Sequence, residues 1–221
     1  MAETPSTPKA FEIYDYRTVN RNVLVTPEIR ARLYHMRPGQ VDRRHSHDLG
    51  HEVFLILEGR AEFDINGVKQ ELGPGQMCVA LADEIHQVRN VLPDKPTIMY
   101  LSVTPHIHPT HTGRTETGEK LPPSFAPNAN YHVEQDMSVP LADLLARQQE
   151  AARAVAGAAQ AHLAASESLA AQLQAALDAG DNDAAIAARN GLWEALYRLH
   201  KRLYELDAVW NELAPRAAPN E

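Results

Sequence analysis

Between residues 11 and 103 apolar positions alternate with polar ones or gather in short blocks, the pattern of strands. From residue 141 they recur every three or four residues, the pattern of helices. Strand signals fall at 11–16, 22–25, 29–36, 51–57, 61–65, 68–72, 77–81, 85–91 and 97–103. Asn66-Gly67, between two of them, is a two-residue hairpin signal, because both central positions of that turn need positive φ. The run Val53 to Leu57 is continuously apolar and closed by Gly59, which predicts a strand buried on both faces. Many short strands joined by tight turns indicate an antiparallel β architecture.

Residues 141–179 are alanine-rich with leucines at helical spacing, entered through Ser138-Val139-Pro140, where a proline suits the first turn. Gly180 followed by Asp181, Asn182 and Asp183 supplies a stop and a new cap. A second helix, from about 183 to 213, places Leu192, Leu196, Leu199, Leu203, Leu206, Trp210 and Leu213 at alternating spacings of four and three, a heptad seam. The two helices should form a long antiparallel hairpin, the first about 55 Å long. Its facing stripe is thinner: Leu141, Leu145, Ala152, Val155, Ala159, Leu169 and Leu173, interrupted by His162 and Ser166. Trp193, Tyr197 and Tyr204 lie beside the main seam and need a cover, either the chain's own β domain or a second chain. The reading favours a homodimer whose hairpins make a four-helix bundle. His162 and His200 read as seam or surface packing.

The densest chemistry lies in the β region. His45 and His47, separated only by Ser46, project the same way from an extended strand and can present two imidazoles to one ion. Across the short turn Asp48-Leu49-Gly50, Glu52 can bring a carboxylate to the same place from the start of a rigid strand. His86 opens a later strand, sharing a face with Val88 and Asn90. A lone histidine on a strand is usually packed or solvated, but four ligand-type residues in this arrangement favour a metal centre. His51 alternates to the face opposite Glu52 and reads as structural or solvated; the inward face of the 29–36 strand, which carries His35, stays open.

These two segments resemble the paired motifs of the cupin superfamily. Gly39, His45, His47, Glu52 and Gly59 match every fixed position of the first motif. Gly75, His86 and Asn90 match the second, in which Leu81 stands for the usual proline and Asp83 for the usual glycine, departures that concern a turn and not the metal. The resemblance covers roughly residues 20 to 105. It implies an antiparallel double-stranded β-helix, a jelly-roll barrel, with the metal ligands His45, His47, Glu52 and His86 facing its inside. The fold class is thus mainly β plus α: a cupin barrel followed by a long two-helix hairpin. Three imidazoles and one carboxylate without a thiolate suit one divalent transition metal, iron, manganese, nickel, cobalt, copper or zinc, rather than calcium or magnesium. Cys78 reads as a small buried hydrophobe rather than a further ligand.

A single cysteine excludes an internal disulfide framework and fits a reducing compartment, so a cytoplasmic location is expected. A formal net charge of −8, without a basic stripe, argues against nucleic acid or an anionic membrane as partner, and no apolar run approaches a membrane span. The division expected is a disordered tail over 1–9 with no charged-then-apolar leader, a barrel over 10–112, a proline-rich linker over 113–137, the hairpin over 138–214 and a tail over 215–221.

The loop holding His106, His108 and His111 reads first as a connection packed on the barrel wall, its path fixed by prolines, with a second metal site or a lid as the alternative. With Tyr34 and Tyr100 these histidines are the candidate proton-transfer groups. Two functions of different class follow. One is a metal-dependent enzyme acting on a small molecule, of dioxygenase, isomerase or lyase type, the first slightly favoured; a thiol-oxidising subtype is disfavoured, because resemblance there implies three histidines without Glu52. The other is a non-catalytic sensor or accessory module that binds a metal or small ligand, with the hairpin as a dimerisation arm.

Overall fold

The computed structural model describes residues 11–217; the tail expected over 1–9, and residues 218–221 of the other, lie outside that range. Among the described residues the β region holds β1 (Asn22–Val25), β2 (Arg30–Met36), β3 (His45–Ser46), β4 (His51–Glu58), β5 (Ala61–Ile65), β6 (Val68–Leu72), β7 (Met77–Ala80), β8 (His86–Asn90), β9 (Thr97–Thr104) and β10 (Thr112–Gly113). They form two antiparallel sheets, in the orders β1-β2-β9-β4-β7 and β10-β3-β8-β5-β6. Between the sheets lies one apolar cluster that includes Met36, Phe54, Ile56, Phe63, Val88 and Met99. Asn66 and Gly67 both take positive φ, 50° and 84°, at the β5–β6 hairpin. Gly59 is required by close approach as well as by its φ of 83°: a Cβ there would lie 2.7 Å from the Pro96 carbonyl. Asp83, which stands where the second motif usually has glycine, adopts a φ of 64°, so the turn is kept.

Two expectations about strands need correction. Residues 11–16 form no strand: Phe11 and Ile13 alternate but are exposed, and the segment ends in a turn whose Thr18 and Val19 amides donate to the Asp15 carbonyl. Alternation without a partner sheet makes no strand. Conversely β3 and β10 are two residues each and too short to carry a period. They pair with one another, Thr112 opposite Ser46, which extends the barrel one residue past the expected boundary at 112.

The linker contains one 3-10 turn, Asn128–Tyr131, and leads into α1 (Leu141–Ala179) and α2 (Asn182–Ala217). Pro140 immediately precedes α1 rather than lying in its first turn. Gly180, with φ 67°, closes α1, and the Asp181 carboxylate accepts from the Ala184 amide at 3.0 Å to cap α2. The second helix runs past its expected end, through Pro215 to Ala217. A proline cannot donate to the carbonyl four residues back, which here is Asn211. That freed carbonyl instead accepts from Asn128 Nδ2 at 3.1 Å.

The α2 seam faces α1, half-buried from Leu192 to Trp210 and fully buried at Leu213. On α1 the facing stripe is Leu144, Gln148, Ala151, Val155, Ala158, His162, Ala165 and Leu169, one position away from much of the expected one, and Leu141 and Leu145 are exposed. Val155, Leu169 and Leu173, with His162 and Ser166 between them, lie on the part-buried face as expected, but Leu141, Leu145, Ala152 and Ala159 do not, because a stripe built mainly of alanine has little periodic contrast. Gly191 allows the helices to close: a Cβ there would meet the Leu169 side chain at 2.8 Å.

Candidate metal centre

Each sheet contributes to one cluster. β3 and β8 place His45 directly opposite His86, and His47 follows at the end of β3. Glu52 comes from β4 in the facing sheet, where it is paired between Val103 and Ala80. One donor atom from each of His45, His47, Glu52 and His86 lies within 4.8 Å of all the others. Glu52 Oε2 is 2.9 Å from His47 Nε2, 3.0 Å from His86 Nε2 and 3.7 Å from His45 Nε2, and the two Nε2 atoms of His45 and His86 are 3.1 Å apart. Donors held about 2.1 Å from one ion lie about 3.0 Å apart at right angles and about 3.4 Å apart in a tetrahedron. The observed spacings are of that size.

The outer ring nitrogens fix the chemistry of the inner ones. His45 Nδ1 donates to the Arg43 carbonyl at 2.9 Å, His86 Nδ1 to the Glu84 carbonyl at 2.9 Å, and His47 Nδ1 to the Thr110 carbonyl. In the neutral ring the proton therefore sits on Nδ1, and all three Nε2 atoms present lone pairs. Together with the Glu52 oxygen they converge with no proton among them, and a cation satisfies all four at once. Burial alone would push the Glu52 carboxyl upward, but His47, His45 and His86 hold it well below the usual carboxylate range. For His47 burial wins and lowers the ring, whereas Glu52 overcomes burial and raises His45. His45 is also the most open of the four, with 16% of its side chain exposed against 3% or less for the others.

A cavity of about 100 Å³ adjoins the cluster; its lining includes His45, Glu52, Arg30, Arg32, Tyr34 and His111. His111 has its ring 4.9 Å from that of His45 and 4.7 Å from that of His47, and burial, with Arg30 nearby, holds it neutral, well below the ordinary imidazole range. Tyr34 donates to Asp42 at 2.9 Å and is pushed up to about 12 by burial and that carboxylate. Tyr100 is elsewhere: it lies between Met99 and Leu101 on β9, and since both of those line the cavity, alternation sends Tyr100 to the other face.

His106 and His108 also leave the centre. Both are buried, with rings 5.5 Å apart and 4.9 and 5.4 Å from Tyr131, at the junction with the hairpin. There α2 grips the loop: Trp210 Nε1 donates to the His108 carbonyl at 2.6 Å and Asn211 Nδ2 to the His106 carbonyl at 2.7 Å. His51 is exposed and accepts from the Ala82 amide. Cys78 pairs with Phe54 across the sheet and packs on the core, and burial pushes its thiol up to about 12. The sequence reading left out Arg30, Arg32 and Asp42. The signal was the charged i, i+2 spacing on β2, masked because the opposite face, Ala31 and Leu33, is the more apolar one.

The fold and this cluster define a double-stranded β-helix with a four-residue candidate metal centre. Residues 32–104 match the cupin domain family, so the barrel is a cupin domain, carried here with a C-terminal helical extension. Similar solved structures include a double-stranded β-helix protein from Klebsiella pneumoniae (24% identity, 43% of this chain and 91% of that one, TM-score 0.40). Two others are the TT1209 protein of Thermus thermophilus (25%, 43% and 98%, TM-score 0.40) and a cupin superfamily protein of Desulfitobacterium hafniense (17%, 43% and 84%, TM-score 0.36). No curated protein matches the chain. Among the described residues no helix is long and apolar enough to cross a membrane.

Proposed function

We propose that the chain is a metal-dependent enzyme acting on a small molecule in the barrel, with one divalent transition metal held by His45, His47, Glu52 and His86. The observation that carries this reading is the convergence of three imidazole lone pairs and a carboxylate, each ring oriented by a backbone carbonyl. When bound, the metal would supply Lewis-acid or redox chemistry, consistent with a dioxygenase, isomerase or lyase, the dioxygenase slightly favoured. The chain's own groups do the rest. His111, held neutral on the cavity wall, is placed to hydrogen-bond a substrate, whereas the Tyr34 hydroxyl keeps its proton and donates it in a hydrogen bond to Asp42. Phe54, Val88, Met99 and Leu101 give the cavity an apolar side.

The hairpin belongs to the same proposal as the dimerisation arm of a cytoplasmic protein that binds neither nucleic acid nor membrane. Its bonds to the loop beside His47 favour one alternative, a binding module in which the arm reports the state of the centre. Elemental analysis of protein from metal-replete growth, beside His86→Ala, separates the readings. Near-stoichiometric metal lost in the variant, with oxygen consumption or metabolite conversion only by loaded protein, supports the enzyme. Metal without any turnover favours the module, and no metal above the variant's level refutes the centre.

A further inference from the structure

We propose that Arg30 and Arg32 form an anion clamp on the cavity wall, and that the substrate is a small carboxylate; the substrate claim rests on the metal-centre reading above. The two arginines are two residues apart on β2, share a face with Tyr34, and line the cavity that His45 and Glu52 border. Arg30 is buried, yet its contact with the Glu52 carboxylate is a single long one, Nη2 to Oε1 at 3.5 Å. Arg32 lies over the Tyr34 ring at 4.3 Å. Both Nε atoms are buried without any acceptor. A buried donor left unpaired is destabilising, and a guanidinium fork matches the two oxygens of a carboxylate.

Charge leads to the same class of ligand. Arg30 and Arg32 are balanced by Glu52 and Asp42, and Asp42 is already engaged by Tyr34 and by Gln40 at 2.8 Å. A divalent ion then leaves two positive charges uncompensated in a buried space, which an anion would offset. Burial already pulls the Arg32 guanidinium below its ordinary range. Volume sets the size. A cavity of about 100 Å³ is well below the roughly 300–1,000 Å³ of sites that take drug-sized ligands. That fits an acid of two to four carbons, and the 2-oxo acids and dicarboxylates of this size bring a second oxygen for the centre.

The test is calorimetric titration of pyruvate, oxalate and malonate, with the uncharged pyruvamide as control, into metal-loaded wild type, Arg32→Met and Arg32→Lys, with metal content measured for each. At least one carboxylate should bind wild type; Arg32→Met should weaken it at least tenfold with metal content unchanged, Arg32→Lys should recover part of the loss, and pyruvamide should bind at least tenfold more weakly than pyruvate. Should Arg32→Met fail to fold, a loss of severalfold in Arg32→Lys carries the same test. Equal affinity in the variants, equal affinity for the amide, or no carboxylate bound at millimolar concentration overturns the clamp. If wild type takes up no metal, the metal reading fails on its own. The same titration of metal-free protein then decides the clamp: arginine-dependent binding sustains it and absence of binding refutes it.

Discussion

The barrel and the hairpin solve the burial problem in opposite ways. Ten residues of the barrel cluster, Met36 to Leu101, are almost fully enclosed between two sheets, and the polar centre is set beside them. The hairpin spans 39 and 36 residues, yet its buried side chains are confined to Leu144, Ala176, Ala188 and the terminal Leu213, Ala214 and Pro215. Trp193 and Tyr197 remain 58% and 45% exposed. A closed sheet sandwich supplies its own second layer, whereas a pair of helices does not. The barrel core is therefore closed by its own two sheets, and the hairpin keeps an uncovered side along its middle.

Core truncation gives the largest effect that tests this contrast. Phe54→Ala should cost about 3–5 kcal/mol in chemical denaturation, whereas Leu199→Ala, in the half-buried seam, should cost about 1–2 kcal/mol. Equal losses would mean that the seam is as enclosed as the core. Acid comes next, acting where the two regions meet. His106 is pushed down to about 3 by burial, Arg30 and His108, so it stays neutral in the fold, while in the unfolded chain a histidine takes up a proton below about 6.5. The unfolded state then binds more protons, and stability should fall as pH drops from about 6.5 toward 3, by about 1.4 kcal/mol per pH unit for this group alone. Denaturation midpoints measured in chelator across that range should show the slope, and His106→Gln should reduce it by that amount, leaving the share of His108 and His111, which burial also lowers.

The third effect is one of assembly. If a second copy covers the hairpin, Trp193→Glu with Tyr197→Glu should halve the mass seen by light scattering while leaving metal content unchanged. A wild-type monomer would end the dimer proposal. The smallest effect concerns Cys78. With its thiol at about 12, roughly one molecule in ten thousand carries thiolate at pH 8, against about one in ten for a free thiol, so alkylation of folded protein should be slower by about a thousandfold. Rapid labelling would mean that the β7 edge opens.

Legibility followed periodicity. Strands with contrast between faces were readable, and so was the cluster, because His45, His47 and Glu52 sit at short spacings and His86 opens a regular strand. Residues with no neighbouring period were not. His111 reaches the centre from a loop, and its separation from His106 and His108 depends on how α2 seats that loop. Arg30 and Arg32 share a strand with apolar neighbours on the other face, so alternation alone offered two inward sides. The alanine stripe of α1 posed the same two-sided choice on a helix.

Trp210 and Asn211 tie the last turns of α2 to the peptide groups of His106 and His108, and four residues beyond His106 the carbonyl of Thr110 holds His47. The shortest stretch of chain that encloses a complete centre therefore does not stop where the sheets stop at Gly113; it runs nearly one hundred residues further in sequence, to Asn211. A gene fragment cut at the barrel's edge would keep all four donors and lose the clasp that steadies one of them.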